Sequence, residues 1–137
     1  MPIRVWIEPE RRLVRIEIEG DSTTEDILDS IDDAVSDPDA EPGFSILSDH
    51  RAVGEPLTTP QVQAMVSRME SLREVMSGCR WAVVTHKPAS VGMMRMLAVL
   101  LNRIPMTIEV FGTMEEAEDW LFGGDRAAPA PDVVEEV

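Results

Sequence analysis

The sequence predicts an α/β domain built on one mixed β-sheet, and three observations predict it. Two runs that alternate apolar and polar residues open the chain on either side of Pro9–Arg12; three compact apolar runs follow; and four stretches with apolar residues at three- and four-residue spacing separate and succeed them. Period two marks a strand with one buried face, and the longer period marks a helix with one buried face. Strands that alternate with helices pair in parallel through right-handed crossovers. The expected order is β-β-α-β-α-β-α-β-α: an N-terminal hairpin plus three parallel strands, covered by four helices.

Ile3, Val5 and Ile7 share one face of the first strand, and Val14, Ile16 and Ile18 share one face of the second. Gly20-Asp21 ends that strand. Ser22 and Glu25 match a capping box, after which Ile27, Leu28, Ile31 and Val35 form a helical stripe that Asp37-Pro38 terminates. Phe44 to Ser48 reads as a short buried strand, and His50 to Thr58 as a loop. Thr59 is placed to cap a helix that has Pro60 in its first turn; Val62, Met65, Val66, Met69, Leu72 and Met76 supply its stripe, and Gly78 closes it. Trp81 to Val84 is the next strand. A helix from about Ser90 to Asn102, a strand from Met106 to Phe111, and a short helix capped by Thr113 and Glu116 complete the domain. The domain is assigned to residues 1–124, and the Ala-, Pro- and acid-rich residues 125–137 to a disordered tail.

The chain has 137 residues, 44% of them hydrophobic, enough for one continuous core. Twelve basic side chains face 26 acidic ones, a net charge of -14 that disfavours nucleic acid and anionic membranes as partners. No apolar run approaches the roughly 20 residues of a membrane span. One cysteine permits no internal disulfide, and with no signal-peptide pattern at the start it points to a cytoplasmic setting. The charge is uneven: Glu8 to Glu41 holds thirteen acids against Arg11, Arg12 and Arg15, whereas His50 to Pro105 holds seven basic residues against Glu55, Glu70 and Glu74.

The Leu13 to Gly20 strand running into an acidic helix, the strands Phe44 to Asp49 and Trp81 to Thr85, and the ending Ile108 to Leu121 with its Ala117-x-x-Trp120-Leu121 pattern resemble the SpoIIAA-like branch of the STAS-like superfamily. The resemblance spans about Ile3 to Phe122. It implies a small non-enzymatic module that binds partner proteins, nucleotides or small ligands. Anti-anti-sigma members carry an Asp-Ser-Ser-Gly turn after the third strand; the corresponding stretch here is Asp49-His50-Arg51-Ala52, which keeps the aspartate and lacks both phosphorylatable serines.

Open α/β sheets bind ligands at the carboxyl ends of their parallel strands. Those ends supply the candidate ligand-binding residues Asp49, His50 and Arg51 after one strand and Thr85, His86 and Lys87 after the next, a cluster suited to an anionic group, with Ser48 as a further hydroxyl source. No cofactor is expected. His50, His86 and Asp49 lack the spacing of a metal site, so no metal is expected either. Cys79 precedes a strand, remote from both histidines, which removes a Cys-His nucleophile. Met1-Pro2-Ile3 resembles the start of tautomerases, but a second strand follows where those enzymes place a helix. The helix bearing Met93, Met94, Met96, Leu97, Leu100 and Leu101 is apolar most of the way round and needs cover on two sides. Two readings follow. One is a regulatory or protein-interaction module that forms a homodimer through this helix or engages another regulatory protein. The other is a carrier or sensor of a small apolar or amphipathic anionic ligand.

Overall fold

A computed structural model describes residues 3–122. The expected tail at 125–137 and the tautomerase-like start at Met1-Pro2 lie outside the described residues. Strand β1 (Ile3–Glu8) passes through a single 3-10 turn (Pro9–Arg11) into β2 (Leu13–Gly20). Arg12 makes the reversal with φ of 51°, a left-handed conformation, and its N–H donates to the Pro9 carbonyl. Then follow α1 (Thr24–Ser36), β3 (Ser45–Val53), α2 (Thr59–Ser71), α3 (Arg73–Met76), β4 (Arg80–Val84), α4 (Pro88–Leu100), β5 (Thr107–Phe111) and α5 (Met114–Phe122). The mixed sheet expected from the sequence is present. Its strands run in the order β1-β2-β3-β4-β5, with β1 antiparallel to β2 and every later pair parallel.

Sequential strand order decides where the helices lie. Each right-handed crossover in such a sheet returns to the same face. Accordingly α1 to α4 pack on one face, in a core of Ile16, Ile31, Ile46, Met65, Met69, Trp81, Val83, Met94 and Leu97. The last helix, α5, covers the opposite face over Leu13, Leu47, Ala82 and Val84.

Several boundaries differ from expectation. The capping box of α1 is Thr23 with Asp26, one residue later than Ser22 with Glu25. The α2 box is Thr58 with Gln61, which leaves Thr59 inside the helix ahead of Pro60. The single helix expected to run to Gly78 breaks at Leu72, so five helices rather than four flank the sheet. Helix α4 begins at Pro88 and ends at Leu100, two residues before the expected range at each end. Strand β3 continues to Val53 instead of stopping at Ser48, because the long β2 keeps pairing with it across an irregularity near Glu17 to Glu19, up to Gly20 with Val53.

Helix α4 also lies differently from the surface expected of it. Met94, Leu97 and Leu101 are buried in the core, and Met93 and Met96 pack partly buried against it, because the sheet covers one side of the helix and α2 the other. Leu100 is 41% exposed beside Val99 at 69%. No described helix is long and apolar enough to cross a membrane.

Trp120 is half-buried rather than central. Its ring lies 5.5 Å from that of Phe111, and the Arg80 guanidinium stacks 4.3 Å above it. Trp120→Ala should therefore cost about 2 to 3 kcal/mol, below the 3 to 5 kcal/mol of a fully buried aromatic. Urea unfolding of the variant measures this directly, and a cost under 1 kcal/mol would show that the ring contributes little.

Candidate functional site: an apolar chamber lined by His50

Alternation along β3 separates the residues that the sequence places together. Ile46, Ser48 and His50 face the helices α1, α2 and α4, whereas Leu47 and Asp49 face the side that carries α5. The Asp49 carboxylate accepts from Arg51 three times, from its backbone N–H at 3.0 Å, Nε at 2.9 Å and Nη2 at 2.8 Å. That bidentate pairing holds the Asp49 carboxyl below its ordinary pKa, and the carboxylate in turn raises that of Arg51. Thr85 is buried at the end of β4, where its hydroxyl accepts from the Lys87 N–H at 3.4 Å. The Lys87 ammonium is spent on the Val53 carbonyl, and His86 is exposed. Of the six candidate ligand-binding residues, His50 is the one on the lining of the apolar chamber beneath α1, α2 and α4.

That cavity, of about 190 Å³, lies between the sheet and the helices α1, α2 and α4. Its walls are Ile16, Ile18 and Ile46 from the strands and Ile27, Ile31, Met65, Met69, Met93 and Met94 from the helices. Small hydroxyl residues keep it open where a larger side chain would fill it. Ser30 is buried among Ile27, Ile31 and Ala34 and donates to the Ile27 carbonyl at 2.6 Å; Ser48 accepts from Trp81 Nε1 at 2.8 Å; Ser90 is buried in the first turn of α4. Ser22 Oγ is buried without a hydrogen-bond partner among the described residues and lines the same space.

Two loops hold one end of the chamber. The Gly54 N–H donates to the Gly20 carbonyl at 3.0 Å, the Glu55 N–H to Asp21 Oδ1 at 2.9 Å, and Gln61 Nε2 to the Ser22 carbonyl at 3.2 Å. Gly54 is needed there: a Cβ would come within 2.4 Å of Asp21 Oδ1. Asp21 and Glu55 are the charged residues that line the chamber, so its polarity is acidic, not the cationic mouth expected of Arg51, His86 and Lys87.

His50 is 7% exposed, and no described residue donates to or accepts from its ring. Burial pushes its pKa from 6.5 down to about 4 against a small opposing pull from Asp49, so the imidazole is neutral at pH 7. Cys79 lies outside the chamber, and burial raises its thiol to about 12, which keeps it protonated. Among the described residues no cluster of three or more His, Cys, Asp or Glu could hold a metal ion.

Trp81, Ser22, Ser30, Ser90 and Gln61 line the chamber without having been marked as ligand-binding by the sequence. The readable signal was serine at core-facing positions, as at Ser30 within the stripe of α1.

The element order, the sheet and the placement of α5 alone on its face define a SpoIIAA-like fold, in agreement with the resemblance of the sequence. Among solved structures the chain is similar to an uncharacterised protein of the DUF3478 family with a SpoIIAA-like fold from Shewanella loihica PV-4, with a TM-score of 0.60 and 18% identity over 87% of this chain and 93% of that one. At that identity the likeness shows the fold. No protein-family model matches the chain, and no curated protein matches it by sequence.

The depressed pKa of His50 sets a pH dependence. On acidification the unfolded chain takes up the proton first, so the stabilisation is complete above about pH 6.5 and is lost as the pH falls toward 4. The loss should reach roughly 3 kcal/mol. Urea unfolding between pH 7.5 and 4.5 should show a shallower acid loss in His50→Leu than in the wild type; equal slopes would show that His50 titrates normally.

Proposed function

We propose that this protein is a small-ligand carrier or sensor rather than an enzyme, and that it holds an apolar ligand between the sheet and helices α1, α2 and α4. One observation carries the reading: a chamber of about 190 Å³ with mostly aliphatic and thioether walls opens onto a buried imidazole that has no partner among the described residues. An engineered apolar cavity of roughly 150 Å³ stays dry and takes benzene. Methionines at 65, 69, 93 and 94 supply flexible walls that adapt to the shape of an occupant.

Phosphorylation on the third strand is a weaker basis for function, since Ser48 is fully buried and bonded to Trp81. Ligand binding ranks above self-association through α4, because three of the six residues marked for an interface are buried within the chain. The remaining apolar exposure at Val99 and Leu100 is small for a stable dimer.

Toluene tests the reading. A ligand at ten times its Kd adds about 1.4 kcal/mol to stability, roughly 5 °C in Tm for a domain of this size. Differential scanning calorimetry should show such a rise with toluene. It should vanish in Met93→Trp, whose indole fills the chamber. No rise in the wild type would remove the carrier reading.

A further inference from the structure

Resting on the carrier reading, we infer that the ligand is an uncharged amphiphile whose head group both donates and accepts a hydrogen bond at His50, with an apolar body about the size of one aromatic ring. A carboxamide or an alcohol fits this description; a carboxylate or an ammonium does not.

Three placements lead there. The His50 imidazole is buried, lines the chamber and is bonded by no described residue. A neutral imidazole carries one N–H donor and one acceptor nitrogen, and with no described residue bonded to either, an occupant of the chamber can meet both. The hydroxyl of Ser22, buried and unpartnered among the described residues, belongs to the lining of the same chamber, as does Ser90. A head group anchored at His50 therefore enters a space that holds further small polar groups.

Charge supplies the third placement. The two cations that the sequence brings to this end of the sheet are engaged elsewhere, Arg51 by the Asp49 carboxylate and Lys87 by the Val53 carbonyl. A carboxylate head would lose its hydration, find no cation among the described residues of the lining and meet Asp21 and Glu55 there. An ammonium would be drawn to those two carboxylates, yet it offers no acceptor to an imidazole N–H and has to shed its own water to reach His50. Only an uncharged donor–acceptor head complements the ring without an unpaired charge in an apolar space.

Four ligands with one ring and different heads test this: toluene, benzamide, benzoate and benzylamine, titrated into the full-length protein at pH 7.5 and followed by the shifts of backbone amides in NMR. Benzamide should bind roughly tenfold more tightly than toluene, as one to two net hydrogen bonds provide, and at least tenfold more tightly than benzoate or benzylamine. In His50→Leu, which keeps the site apolar, the ratio of benzamide to toluene affinity should fall toward one, and His50→Gln, which restores a donor and an acceptor, should recover part of it. Benzoate or benzylamine as the tightest ligand, or toluene equal to benzamide in the wild type, overturns the inference and leaves the carrier reading standing. Failure of all four to bind overturns both.

Discussion

After the β1–β2 hairpin, strands β2 to β5 are taken in order through crossovers of one hand, which places every intervening helix on one face of the sheet, and the rest of the molecule follows from that constraint. Three long helices side by side on a twisted sheet leave a wedge between α1, α2 and α4. In many domains large aliphatic side chains fill such a wedge. Here Ser30 on α1, Ser48 on β3 and Ser90 on α4 point small side chains toward it, and it stays open. The opposite face receives only α5. That helix covers Leu13, Leu47, Ala82 and Val84 and leaves the outer residues of β1 and β2 to one another: Arg4 pairs with Glu17 across the strands, and Trp6 lies under Arg4 and Arg15.

His50 is 7% exposed, and the described chain gives its ring no hydrogen bond. An aliphatic residue there would fold at lower cost. Asp49, its neighbour in sequence, lies on the opposite face of β3 with its carboxylate bound to Arg51, and its pull on the ring does not offset the effect of burial. A buried, unbonded histidine beside an open apolar space departs from the arrangement of maximal stability.

Much of the fold was legible because its strands and helices keep clean periods. The hairpin, the stripe of Ile27, Ile31 and Val35, and the pattern of Ala117, Trp120 and Leu121 each state their own element. The end of β3 was not legible: Asp49 to Ala52 is polar, and only the continued pairing with β2, a tertiary fact, makes it a strand. From that single extension follows the main revision at the site. With His50 inside the strand, alternation sends it to one face and Asp49 to the other, so neighbours in sequence become residents of different layers. The chamber itself was hidden because it is an absence of volume, and sequence patterns report apolar stripes more readily than the small residues that interrupt them. Helix α4 shows the same limit. Its nearly all-round apolarity was correctly read as a demand for cover on two sides, but that α2 supplies the second cover could not be read from either helix alone.

The three tryptophans stand in three unlike settings: Trp6 at the surface beneath two guanidinium groups, Trp120 half-buried under Arg80 with α5, and Trp81 buried, hydrogen-bonded to Ser48 and forming part of the chamber wall. Indole emission depends on local polarity and on nearby quenching groups. The protein thus carries an intrinsic optical probe of its own interior in Trp81. Trp6 and Trp120, on the far side of the sheet, act as internal references that an occupant of the chamber does not touch.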